Sequence, residues 1–291
     1  MNSNSFRLRG RARARRHGAL AIAATVSLVA APLLVTSGSG ASATGQHSLV
    51  LSVATSSRMT FSPKPTVVLV HGAWADSGSW DGVVARLQRD GYPVDVFPTP
   101  LQSLKGDSDA LRDYLAAISG RIVLVGHSYG GAVITDAATG NANVQALVYL
   151  DAFAPSEGRP VGSYVGTDSV VSDPSVFVAV GATVQLYVKQ SLFPADFAND
   201  LPLAEARVLA ATQRPIAAGA LGEASTAPAW TSIPSWYEVG TIDRVIPPAT
   251  QLAMAKTAGS HIIWARTSHL PMVSQPGTVT TTIEAAARAT R

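Results

Sequence analysis

Ser128 stands in Gly126-His127-Ser128-Tyr129-Gly130, between the apolar run Ile122-Val123-Leu124-Val125 and the small-residue stretch Gly131 to Ala138. A Gly-x-Ser-x-Gly pattern alone is weak. A strand running into it and a helix leaving it make it the setting of a nucleophile elbow. Gly126 and Gly130 give such a tight turn room, and Gly131 lets the helix pack closely. The serine hydroxyl is then presented at the tip. The chemistry this predicts is attack on a carbonyl carbon through a covalent acyl intermediate.

A serine hydroxyl needs a base to take its proton. The chain has six histidines. His17 and His47 lie near the start, outside the region of strands and helices. His71 ends the first strong strand, His127 adjoins Ser128 and is expected to point elsewhere, and His261 opens a strand. His269 lies in the loop Thr267-Ser268-His269-Leu270-Pro271, after the last strand, where the chain order nucleophile, acid, base places the base. The competing reading of His269 is an ordinary surface-loop histidine.

The acid must hold that histidine in one tautomer and stabilise its cation. Asp243 follows the strand Trp236 to Gly240, in Gly240-Thr241-Ile242-Asp243-Arg244. One helix then separates it from His269, so it is the preferred acid. Asp151, after the strand ending at Leu150, is the competitor, serving as an acid from the other side or as a residue that docks an insertion. Glu238, inside its strand, ranks third.

A tetrahedral oxyanion needs two preorganised N–H donors. The backbone amide of Tyr129, just after the nucleophile, is one candidate. The turn His71-Gly72-Ala73-Trp74 offers the other, with the Ala73 amide the choice. Trp74, Phe153 and Leu270 are expected to wall a substrate pocket, with Tyr129 beside them. Phe177, Leu192 and Phe193 are candidates from the insertion described below. Apolar walls suit a small or medium hydrophobic ester. For each insertion residue, plain packing is an equally good reading. No metal-ligand cluster and no phosphate-binding glycine loop is seen, so no cofactor is expected.

Short apolar β-branched runs alternate with helical spacing to position these groups. Strands are predicted at Thr66–Val70, Pro93–Phe97, Ile122–Val125, Val144–Leu150, Ile233–Val239 and His261–Trp264. Helices are predicted at Trp80–Asp90, Ser108–Ser119, Gly131–Ala138, about Pro248–Ala258 and Thr278–Arg288. Such alternation predicts an α/β chain with a mostly parallel central sheet, helices on both faces and active groups at the carboxyl ends of the strands. From Pro155 to Pro228 the rhythm breaks. Residues 155–228 are therefore read as a mainly helical cap inserted into a core of 66–154 and 229–291.

Hydrophobic residues are 47% and charged residues 14% of the 291 residues, which suits a buried core and argues against disorder. The net charge of +3 belongs to the start of the chain. Arg7, Arg9, Arg11, Arg13, Arg15 and Arg16 precede any acidic residue, and without them the balance is negative. The body thus has no charge reason to bind nucleic acid. Residues 1–43 read as an export signal, with an apolar run from Ala19 to Val35 and Ala41-Ser42-Ala43 as cleavage site. A Sec-type route is expected, with Arg15-Arg16 raising a twin-arginine route. An uncleaved anchor is the alternative, disfavoured by the run's shortness and Pro32. Secretion without stable membrane association is the expectation. Residues 44–65 read as a linker. There is no cysteine, which excludes disulfides and a thiol nucleophile.

Val70-His71-Gly72-Ala73-Trp74 with Trp80, Gly126-His127-Ser128-Tyr129-Gly130-Gly131, Tyr149-Leu150-Asp151-Ala152-Phe153 and Asp243-Arg244-Val245-Ile246-Pro247-Pro248 resemble the α/β-hydrolase superfamily. The resemblance spans about Thr66 to Ala287. It is closest to the branch of plant hydroxynitrile lyases, methyl-salicylate-type esterases and pyrethroid-type carboxylesterases. It implies the α/β-hydrolase fold and serine esterase chemistry. Lyases of that branch carry a lysine after the catalytic histidine; Leu270 stands there, which favours an esterase. Dehalogenases and epoxide hydrolases of this scaffold use an Asp nucleophile, which Ser128 excludes. Cofactor-free perhydrolase (haloperoxidase-type) activity and a non-catalytic binding role remain as rivals.

Overall fold

The computed structural model describes residues 63–290. The expected signal, residues 1–43, and residues 44–62 of the expected linker lie outside the described residues. In chain order the core opens with β1 (Thr66–Val70), α1 (Asp81–Arg89), β2 (Val94–Phe97), α2 (Leu104–Ala116), β3 (Ile122–His127), α3 (Tyr129–Ala137) and β4 (Val144–Leu150). The insertion follows, with β5 (Phe177–Val180), β6 (Gln185–Val188), α4 (Phe193–Asp196), α5 (Leu203–Thr212), β7 (Ile216–Ala217) and α6 (Ala218–Gly222). The core resumes with β8 (Ser235–Gly240), α7 (Pro248–Thr257), β9 (His261–Ala265), α8 (Pro271–Ser274) and α9 (Pro276–Ala289).

Six strands form one sheet in the order β2-β1-β3-β4-β8-β9. Every neighbouring pair is parallel. Parallel strands covered on both faces read as unbroken apolar runs, which is why they are visible in the sequence. Ile122, Val123, Leu124 and Val125 of β3 are all fully buried. At about 1.5–3 kcal/mol for each buried aliphatic side chain, such a strand is a strong anchor for whatever follows it. Helix α1 packs on α9 and α2 on α3, and α7 packs on β8. The carboxyl ends of β3, β4, β8 and β9 lie side by side, and the loops leaving them carry the candidate site.

Helix α2 begins four residues earlier than its apolar spacing suggests. Ser103 caps it by accepting a hydrogen bond from the Gly106 amide at 3.0 Å. A polar first turn containing Lys105, Gly106 and Asp107 hid that start.

The insertion departs from the mainly helical expectation. Its helices are accompanied by a three-stranded antiparallel sheet, β5-β6-β7. Strand alternation is erased in the sequence because the outer face of the β5–β6 hairpin is itself apolar. Val178, Val180 and Val184 are exposed there. A binary pattern reads strands by contrast between faces, and this hairpin has little.

Candidate active site

The chain passes from β3 to α3 through Ser128, whose φ of 52° and ψ of −125° are strained for a residue with a side chain. The strain is held by backbone bonds on both sides. The Ser128 amide donates to Leu150 O at 3.3 Å, and its carbonyl accepts from Gly131 at 2.9 Å and Phe153 at 3.0 Å. Close approach links the β1 turn to the elbow at Gly72: a Cβ there would sit 2.6 Å from Ser128 Cβ and 3.0 Å from the Tyr129 nitrogen. The turn after β1 is thus pressed against the elbow, and only glycine allows it.

His269 reaches both expected partners. Ser128 Oγ lies 2.9 Å from His269 Nε2, and His269 Nδ1 lies 2.9 Å from Asp243 Oδ2. All three are buried. Asp243 is further fixed through its other oxygen, which accepts from the Val245 amide at 2.8 Å and the Ile246 amide at 3.1 Å. Gln251 of α7 donates to Asp243 Oδ2 at 2.9 Å and to Ile246 O at 2.8 Å, and accepts from the Gly240 amide at 3.2 Å. A buried glutamine in the helix that follows the acid's loop was not legible in the sequence.

Asp151 and Glu238 do not reach His269. Asp151 has a left-handed φ of 43°, and its carboxyl lies against Gly240, fully buried, without a hydrogen-bond partner for either oxygen. Burial, then the nearby Asp243 and Glu238, push its carboxyl well above the usual range, so it is held neutral. Glu238 accepts from Thr282 Oγ1, and burial pushes its carboxyl up to about 7.

Two other histidines brace the site. His127 donates its Nε2–H to the main-chain carbonyl of His269 at 2.7 Å, and its Nδ1 faces the Gly72 amide at 3.4 Å. Burial, with His269 close by, pushes its imidazole well below the ordinary value, which keeps it neutral. His71 donates from Nδ1 to Gly72 O at 2.9 Å, and the Arg214 guanidinium faces its Nε2 at 3.4 Å. Burial lowers the His71 pKa to about 4.

The backbone amides of Ala73 and Tyr129 carry no hydrogen bond to any described residue. Tyr129 is anchored at its far end, where its hydroxyl donates to Asp107 Oδ2 at 2.9 Å. Trp74 is pinned by the insertion: its amide donates to Arg214 O and its indole N–H to Leu186 O, both at 2.9 Å. Those bonds hold Trp74 at a φ of 59°.

A small apolar chamber of about 60 Å³ opens on Ser128. Ala73, Trp74, Tyr129 and Phe153 form its core side; Val161, Val165, Val171, Phe177 and Leu221 close it from the insertion. Trp74 and Phe153 line this chamber, as does Phe177, which stacks on Trp74 at 5.4 Å. Leu270 does not line the chamber. It is buried at the start of α8, where its carbonyl accepts from Val273 and Ser274, and that helix start turns its side chain into the core. Phe193 is likewise core, stacked on Phe197 at 5.1 Å, and Leu192 is outside the lining. Phe197, unnoticed in the sequence, meets Trp74 edge-on at 5.3 Å and His269 at 5.8 Å. A wider cleft between α2 and Glu223 shares none of these residues, and its Lys105, Asp109 and Arg112 pair among themselves.

The insertion also grips the loops that carry acid and base. Asn199 Nδ2 donates to Ile242 O at 3.4 Å, Arg244 pairs with Asp196 at 3.2 Å, and Ser169 Oγ donates to Val245 O at 2.6 Å. Ser268 bonds Asp200 through both its amide and its hydroxyl.

Comparison with known proteins agrees with this architecture. Residues 67–281 match the Alpha/beta hydrolase family. A carbendazim hydrolyzing esterase from Nocardioides sp. (strain SG-4G) is 40% identical over 105 residues, which is 31% of this chain and 43% of that esterase. The chain thus spans less than half the length of that relative. The Alpha/beta hydrolase nvfD of Aspergillus novofumigatus (strain IBT 16806) is 27% identical over 252 residues, 77% of this chain and 97% of that protein. Among solved structures, a pyrethroid hydrolase from Sphingobium faniae JZ-2 superposes with a TM-score of 0.66 at 24% identity, over 77% of this chain and 98% of the other. The chain belongs to the alpha/beta hydrolase family.

Proposed function

We propose that this protein hydrolyses a carboxylic ester through Ser128, His269 and Asp243, without a cofactor. The observation that carries the reading is the buried chain Ser128–His269–Asp243, with 2.9 Å at each link. The unpartnered amides of Ala73 and Tyr129 add an oxyanion site beside it. Ser128 Oγ attacks the ester carbonyl while His269 Nε2 takes its proton. The developing oxyanion is held by the two amides. His269 then gives the proton to the leaving alcohol, and Asp243 stabilises the imidazolium throughout. Water, deprotonated by the same base, releases the acyl group from Ser128.

The substrate is a small or medium hydrophobic ester. The chamber wall is apolar and its space is small, about 60 Å³, which suits a short, uncharged group. Leu270, in place of a lysine after the base, favours ester hydrolysis over lyase chemistry. The protein acts on small molecules, not nucleic acid, and is exported by its arginine-rich leader. Among the described residues no helix is long and apolar enough to cross a membrane.

The test is a panel of p-nitrophenyl esters with Ser128→Ala as control. The variant is expected to lose at least about 10⁴-fold in kcat. Turnover by Ser128→Ala at the wild-type rate defeats the reading.

A further inference from the structure

His269 sits in a loop, between β9 and α8, with no regular structure to hold it. His127 braces its carbonyl from below. The residue just before it is held from above, by the insertion. Asp200 lies between α4 and α5, and it spends both carboxylate oxygens on Ser268. The Ser268 amide donates to Oδ2 at 3.0 Å, and the Ser268 hydroxyl donates to Oδ1. Ser268 is fully buried. Its hydroxyl also lies 3.3 Å from Phe197 O, three residues before Asp200, and the Phe197 ring meets the His269 ring edge-on. Among the described residues Asp200 forms no ion pair with Lys or Arg. Its charge is therefore directed at one serine, and charge-assisted bonds of this kind are about twice as strong as neutral ones.

We infer that Asp200 is a positioning residue for His269: its grip on Ser268 keeps the imidazole in line between Ser128 and Asp243, so that docking of the insertion and readiness of the base are one event. This rests on reading His269 as the general base. The insertion is then part of the base's mounting as well as a wall of the chamber. An imidazole displaced by one ångström loses the alignment that proton transfer needs.

The experiment compares Asp200→Ala, Asp200→Asn and Ser268→Ala in the whole protein by ester kinetics, thermal unfolding and proton NMR of the His269 Nδ1–H resonance. In Asp200→Ala, kcat is expected to fall about 10- to 100-fold with KM nearly unchanged, as for a misplaced catalytic group. The hydrogen-bonded Nδ1–H resonance is expected to broaden or vanish. Asp200→Asn keeps an acceptor for the Ser268 amide and is expected to recover most of kcat. Combining Asp200→Ala with Ser268→Ala is expected to cost no more than Asp200→Ala alone. A lower melting temperature with kcat and the resonance unchanged overturns the inference and leaves Asp200 a fastener. If Asp200→Ala does not fold, the other two variants decide: a loss of kcat at constant KM in Ser268→Ala supports the inference, and wild-type kcat in both overturns it. Should wild-type protein hydrolyse no ester and leave a fluorophosphonate unreacted at Ser128, the proposed function fails, while the resonance comparison still decides the role of Asp200.

Discussion

His127 and His269 are joined by a 2.7 Å bond from the imidazole Nε2–H of the first to the main-chain carbonyl of the second, with ring centroids 5.0 Å apart. The residue next to the nucleophile thus supports the backbone of the base. Its other nitrogen faces the Gly72 amide, so a single neutral ring touches elbow, base loop and oxyanion turn. His127→Leu fills the volume and removes both contacts. It leaves a buried carbonyl and a buried N–H without partners, which costs about 1–3 kcal/mol each. Urea unfolding is expected to show that loss, and kcat to fall about tenfold or more with it. Unchanged stability and rate in this variant rule out the brace.

Asp243 and Asp151 are told apart by amide substitution. Asp243→Asn is expected to lower kcat by roughly 10⁴-fold, because the amide presents the wrong partner to His269 Nδ1. Asp151 is held neutral by burial, so Asp151→Asn changes no charge in the folded protein and is expected to keep most activity. The reverse ranking of the two variants in kcat exchanges their roles.

Gln251 is the acid's support. Gln251→Leu leaves the Gly240 amide without its bond and takes one donor from Asp243. A loss of about 1–3 kcal/mol in stability is expected. A fall in kcat of about tenfold is expected as Asp243 loosens its hold on His269. An unchanged kcat with lowered stability confines Gln251 to a structural role.

Acid and alkali act on different buried groups. His71 has a folded pKa of about 4, below its ordinary 6.5. The fold binds fewer protons than the unfolded chain between those values, so the stabilisation is present above pH 6.5 and is lost as pH falls towards 4. Its size is about 3 kcal/mol at most. Glu238 runs the other way, with a folded pKa of about 7 against 4.5. Its stabilisation is present below pH 4.5 and fades as pH rises through 7. Glu238→Gln is therefore expected to raise stability at pH 8 relative to wild type and to leave it nearly unchanged at pH 4.5. Parallel denaturation curves for the two proteins at both pH values refute the assignment.

The chamber sets acyl size. Phe177→Ala and Val161→Ala remove walls supplied by the insertion. Each is expected to shift kcat/KM from acetyl and propionyl esters towards hexanoyl esters, by about 10-fold for a few methylenes. An unaltered chain-length profile places the acyl group elsewhere.

What was legible in the sequence followed locality. The elbow was visible because β3, Ser128 and the glycines are contiguous, and parallel strands write themselves as apolar runs. Asp243 and His269 were visible because each closes a strand. The braces were not. His127 acts on a residue 142 positions away, and Asp200 on one 68 away. Neither spacing has a periodicity to betray it. Gln251 was hidden among ordinary helix residues. Leu270 was misplaced because sequence adjacency to the base says nothing about the direction of the next side chain. The β5–β6 hairpin escaped because Val178 and Val180 put apolar residues on its open face.

In the sheet β4 lies beside β8, with Leu147 opposite Ser235, although the whole insertion separates them along the chain. Closing that loop carries an entropic cost that is met before the contacts reward it, and long-range parallel pairing is slow to form. The nucleophile lies on one side of this closure, the acid and base on the other. A chain emerging amino end first therefore completes Ser128 and its elbow long before His269 exists to activate it. Assembly order thus keeps the serine dormant until the final strands join the sheet.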